Sequence, residues 1–116
     1  MYEALADTAP DLPRLAVEFA YGDIHTRPGL DAAGRELVTL GALIALGGVE
    51  PRLEAHIGSA LNAGLEPREV VEAILQALPY AGFPRVFAAT AVAGGTSQPP
   101  GWGRVFEARD LLPVTG

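Results

Sequence analysis

The alternation of apolar and polar positions is most regular between Arg35 and Arg85, where it predicts three successive helices with stop signals at both joints. The first, from about Arg35 to Leu46, is apolar nearly all round and ends at Gly47-Gly48; from Leu37 onward its lone polar side chain is Thr39. The second starts at Pro51, carries His56 on its middle turn and ends at Asn62-Ala63-Gly64. The third starts at Pro67 and runs to Leu78, just before Pro79. Proline inside a helix start and glycine beyond its end mark real helix boundaries: the first turn has no use for an N–H, and glycine turns left-handed without strain. Glu66 and Glu69 stand where an N-cap and its partner three residues on would stand.

The flanks are read the same way. A helix is expected from Leu12 or Pro13 to Phe19 or Ala20, because Leu12, Leu15 and Phe19 share one face. The stretch YGDIHTRPGLD then breaks the pattern and ends in Asp31, a helix-capping residue type. After Pro79 a turn is expected at Tyr80-Ala81-Gly82, followed by a helix from near Pro84 to Gly94-Gly95. Residues up to about Pro10 carry no period, and residues 96–103 hold turn residues throughout. A last short helix is expected from Arg104 to about Leu112. The pattern therefore predicts one all-α domain, residues 1–116, of about five to six helices, organised around Arg35–Arg85 with a tail over 94–116. A helix as apolar as Leu37–Leu46 has to be covered on several sides. So short a chain has few helices to do it, and oligomerisation is expected.

Composition narrows this further. Of 116 residues, 49% are hydrophobic and only 7% aromatic, so the core is built from Ala, Leu and Val, which suits close helix packing. A net charge of −6 speaks against a nucleic-acid partner, since phosphate binding needs a basic face. There is no Cys, hence no disulfide, no thiolate nucleophile and no Cys-based metal site. All eight basic residues are Arg, so Schiff-base chemistry on a lysine is excluded. The two histidines, His25 and His56, lie on different segments without a ligand-type spacing, and no metal is expected. No signal segment is evident in MYEALADTAPDLPRLAVEF, and the apolar run from Leu37 to Val49 is too short and Gly-rich to span a membrane. A soluble, cytoplasmic protein without a membrane partner is expected.

The order RPGLD, RELVTL, LEAHIGSALNAGLEPREVVEAILQALPYAGFPR resembles the carboxymuconolactone decarboxylase family over Arg27 to about Ala93. The resemblance implies an alkylhydroperoxidase-like all-helical fold with its core over about 27–93, and a ring-shaped homo-oligomer, a trimer or hexamer. It also implies cofactor-free chemistry on a small-molecule substrate. The peroxidase branch of that family carries Cys-x-x-Cys before the shared histidine; here those positions are Val49 and Arg52, and thiol chemistry is impossible. The remaining branch is similar to the decarboxylase that turns 4-carboxymuconolactone into 3-oxoadipate enol-lactone in aromatic catabolism. One departure is His25, where that decarboxylase usually has Trp. It is the one sequence hint for another reaction on the same fold, such as isomerisation or cyclisation of a biosynthetic intermediate. A non-catalytic helical oligomer that binds a small ligand is the alternative from a different class.

Decarboxylating such a lactone requires binding its carboxylates, stabilising the dienolate oxygen and delivering a proton to carbon. Arginine suits the first task through its bidentate fork, and histidine suits the last. His56 falls on the family's recurrent histidine and is the leading acid/base candidate. Glu36, expected as the orienting partner of His56, lies close to where the peroxidase branch keeps a proton-relay glutamate, and reads equally as a first-turn acid favoured by the helix dipole. Arg27 and Arg35 are the first candidates to bind carboxylate, against a surface charge or an intersubunit ion pair; Arg85 is the third. Tyr80 offers a hydroxyl but equally packs beside a Gly turn, and His25 is a second acid or a surface residue. Glu72 reads as structural. Ser59, on the same helix face as His56, has no surrounding nucleophile-elbow pattern.

Overall fold

The computed structural model describes residues 5 and 7–95, and the expected short helix at Arg104–Leu112 lies outside them. Five α-helices and no strand occur among the described residues. They are α1 (Asp11–Leu15), α2 (Ala32–Leu46), α3 (Glu50–Asn62), α4 (Pro67–Ala81) and α5 (Phe83–Ala93); α1 continues as a π-helical stretch, Ala16–Ile24. The chain divides into two compact units, Met1–Ala32 and Ala33–Gly116. None of the described helices is long and apolar enough to cross a membrane.

In the first unit the helical path runs further than its sequence suggests. The expected end at Phe19 or Ala20 is passed, and Gly22 lies inside the π-helical stretch. Its i→i−5 bonds keep backbone donors paired through the glycine, with the His25 N–H reaching the Ala20 carbonyl at 3.0 Å. Arg14 stitches the outer face to Glu18 at 3.2 Å and Asp11 at 3.5 Å. The loop shrinks accordingly, and α2 begins directly after Asp31.

The second unit holds the core. Each helix contributes a stripe at helical spacing: Leu40 and Ile44 from α2, Leu53, Ile57 and Ala60 from α3, Val70, Val71 and Ile74 from α4, and Val86, Ala89 and Ala93 from α5. The alanines at these positions let backbones approach closely, as the Ala-rich composition predicts. Helix α2 buries this one stripe only: Val38 and Leu46 are each 65% exposed.

The helix ends follow local chemistry. Glu69 Oε1 accepts the Glu66 N–H at 2.9 Å, forming the reciprocal cap expected at the start of α4. Pro79, expected to stop that helix at Leu78, is carried inside its last turn, and α4 continues to Ala81. A proline near a helix end forfeits one bond without breaking the turn. The stop comes instead from Gly82, at φ +88°, whose N–H closes onto the Leu78 carbonyl at 3.1 Å. Helix α5 starts immediately, at Phe83.

Candidate functional site

Glu36 belongs to the buried stripe of α2, with Leu40 and Ile44 following at intervals of four. A carboxylate in that position has given up water and needs a polar partner. Helix α3 supplies it: His56 Nδ1 lies 3.2 Å from Glu36 Oε2, across twenty residues of sequence. The imidazole is 15% exposed and the carboxylate 7%. His56 sits beside Ile57 and one turn after Leu53, both buried, so the core face of α3 itself carries the ring to the core's edge. With the proton on Nδ1, the ring donates to the carboxylate; this fixes its tautomer and leaves Nε2 to take or give a proton. Glu36 and His56 are therefore brought together, as acid/base and orienting partner would have to be.

The other candidates are dispersed. Arg35 opens α2 beside Glu36, half-buried, with its carbonyl accepting from Thr39 Oγ1 at 3.0 Å. Arg27 and His25 belong to the first unit, where the His25 ring stacks on Tyr21 at 5.1 Å between centroids. Arg27 and Arg35 each take part in a further interaction of the fold. Ser59 spends its hydroxyl on the Ala55 carbonyl at 3.3 Å, so no nucleophile stands beside His56 from that residue.

Arg85, third in rank from sequence, is placed at a cleft. The cleft, about 370 Å³, opens where the end of α2 meets the starts of α3 and α5. Leu43, Leu53, Pro84 and Ala88 give it apolar walls, and Glu50 and Arg85 are its ionisable residues. No ion pair joins Arg85 to another described residue. The histidine does not line this cleft. A second, wider groove of about 710 Å³ runs between α2 and α4; small residues, Gly41, Ala45 and Ala77, form its floor, and Tyr80 and Glu72 stand along it. The Tyr80 residue is 84% exposed. Sequence reasoning missed both hollows, because Gly47-Gly48 reads only as a stop signal and an Ala/Gly stripe only as close packing. Among the described residues, no group of His, Asp and Glu is arranged to hold a metal ion.

The chain is 39% identical over 82 residues to a 4-carboxymuconolactone decarboxylase of Acinetobacter baylyi, covering 71% of this chain and 60% of that protein. It is 42% identical over 72 residues to nitrosuccinic acid decarboxylase of Metarhizium robertsii, covering 60% of this chain and 48% of that protein. An uncharacterised 15.0 kDa protein of Paracoccus denitrificans is 35% identical over 91 residues, or 78% of this chain and 68% of that one. The chain thus spans about half to two thirds of the length of these relatives. The family profile matches residues 10–94, which takes in α1 and its π-helical extension as well as the stretch from Arg27. With that match and these identities, the chain belongs to the carboxymuconolactone decarboxylase family.

Proposed function

We propose that this protein is a carboxy-lyase for small acids whose departing carboxylate sits next to an electron-withdrawing group, with 4-carboxymuconolactone as first substrate. The observation that carries the reading is the part-buried Glu36–His56 pair, 3.2 Å apart, at the histidine that the family resemblance singles out. The bond to the carboxylate breaks, carbon dioxide leaves, and the electron pair moves into the conjugated lactone carbonyl. His56 Nε2 then gives a proton to carbon, and the imidazole regains it from water. Glu36 holds the tautomer and balances the imidazolium before that transfer. Arg85 is the proposed anion-binding arm: its cleft reaches α3 at Leu53, one turn before His56, and a substrate acted on by both would extend from the cleft toward the histidine. Arg35, Arg27, Tyr80 and His25 are secondary arms in this reading. No step calls for a metal or prosthetic group.

The working form we propose is a cytoplasmic homo-oligomer, a trimer or hexamer, that covers the apolar side chains α2 and α5 leave exposed. Val38, Leu46 and Phe87 are each 65% exposed, a heavy solvent load for so small a unit.

A second reading keeps the reaction and changes the substrate. The fungal relative is named for nitrosuccinic acid, in which a nitro group takes the place of the conjugated carbonyl as the acceptor of electrons. The two compounds share a second carboxylate for an arginine to hold. Carbon dioxide release by the purified chain, measured with each compound in turn, decides between them. Turnover of the lactone supports the first reading and turnover of nitrosuccinate alone the second; an inert, correctly folded protein contradicts both.

A further inference from the structure

Two adjacent glycines follow α2 at nearly the same positive φ, Gly47 at φ +71° and Gly48 at φ +72°. Their surroundings differ. A Cβ on Gly48 would meet no atom within 4 Å, whereas one on Gly47 would lie 2.8 Å from Arg85 Nε and 3.4 Å from both Arg85 Cγ and Cδ. The Arg85 side chain, from the first turn of α5, thus lies across the bare backbone of Gly47, in the space a side chain would fill. That backbone is the carboxyl end of α2, where the helix dipole favours a cation, and α2 has no basic residue of its own in its last turn. The same two residues, Gly47 and Arg85, line the 370 Å³ cleft.

We propose that Gly47 is a positioning residue for Arg85: by lacking a side chain it seats the arginine stem on the end of α2 and holds the guanidinium at the cleft for a substrate carboxylate. The proposal rests on the reading of Arg85 as a carboxylate binder. It makes the glycine at this position a determinant of anion recognition and not only a helix stop. Its neighbour Gly48 serves the turn alone, which provides an internal control: alanine at either position meets the same left-handed strain, and only alanine at 47 displaces Arg85.

The test uses the full chain, with succinate as a non-reacting dicarboxylate probe. The Arg85 Nε–H resonance, assigned by its loss in Arg85→Ala, is expected to move in Gly47→Ala and to stay in Gly48→Ala, while both variants lose thermal stability to a similar degree. Succinate affinity, by calorimetry, is expected to fall about tenfold in Gly47→Ala, the scale of one charge-assisted hydrogen-bonded contact, and to fall no further when Gly47→Ala is added to Arg85→Ala. An unmoved resonance in Gly47→Ala overturns the proposal. So does an equal loss of affinity with and without Arg85, or a wild type that does not bind succinate. A wild type that binds succinate but releases no carbon dioxide from the lactone or nitrosuccinate defeats the assigned reaction and leaves the proposal to be decided by the resonance and the affinity cycle.

Discussion

At the scale of residues, the proposed chemistry turns on a carboxylate that helix packing has drawn out of water. Glu36 shares its stripe with Leu40 and Ile44, and His56 is what makes that burial tolerable. Two substitutions separate the structural from the chemical part of this contact. Glu36→Ala leaves the imidazole nitrogen unpaired and is expected to lower unfolding free energy by about 1–3 kcal/mol in urea titration. Glu36→Gln keeps a hydrogen-bond acceptor but removes the charge that balances an imidazolium. We expect stability within about 1 kcal/mol of wild type and kcat down by roughly 10²-fold. Equal loss of stability in the two variants with unchanged turnover in Glu36→Gln would mean that the pair is a core hydrogen bond and nothing more. The sequence made His56 and Glu36 visible as separate candidates. Their partnership was expected only through the family resemblance; periodicity and spacing did not make the contact visible, because their meeting depends on how α2 lies against α3, and no local pattern encodes that. What sets Arg85 apart in the structure, the seat of its side chain over the bare backbone of Gly47, is likewise a property of two helices at once.

At the scale of elements, local rules gave the helices themselves. Terminator residues placed the C-terminal ends of α2 and α3 and the start of α3 within a residue or two, because Gly47, Gly64 and the proline at the start of each following helix act through backbone geometry alone; α2 itself starts three residues before the expected Arg35, at Ala32. The reciprocal cap of α4 is of this kind. Replacing Glu69 with Ala removes the carboxylate that satisfies the Glu66 N–H, and should cost about 1 kcal/mol, measured by chemical denaturation. Two breakers were over-read. Pro79 forfeits the N–H that would reach the Leu75 carbonyl, yet the last turn still closes through the Gly82 N–H on the Leu78 carbonyl, and Gly22 is spanned by i→i−5 bonds; in each case the surrounding hydrogen bonding outweighs the residue's own preference. Core burial sets a larger scale than any cap. Leu40→Ala, at a site 1% exposed, should destabilise by about 2–5 kcal/mol, and Val38→Ala, two residues away on the open face, by less than about 0.5 kcal/mol in the isolated subunit.

At the scale of the whole molecule, the apolar surface left open is the feature that asks for company. Helix α2 turns Val38 and Leu46 outward, and α5 turns Phe87 outward. In the proposed oligomer these residues are interface. Val38→Glu should then lower the mass measured by sedimentation equilibrium to that of one chain, while far-ultraviolet circular dichroism remains helical; an unchanged mass would place the interface elsewhere. The all-helical class was readable from composition and periodicity, since a chain short of aromatics and rich in Ala and Leu packs helices well and sheets poorly. The division at Ala32 and Ala33 was not, because the apolar pattern of α1 looks like that of any core helix. Substrate identity lies beyond periodicity altogether, and the substrates proposed for this chain rest on the family resemblance and on two relatives named as decarboxylases.

All three scales meet at one histidine. The most direct measurement is carbon dioxide release from 4-carboxymuconolactone by the wild type and by His56→Gln, at matched helicity and matched assembly. The reading predicts turnover in the wild type and a loss of about 10²–10⁴-fold in kcat for the variant, the range expected on removing a general acid. Equal turnover in the two proteins would contradict it, and would leave the Glu36–His56 pair as a structural contact of the core.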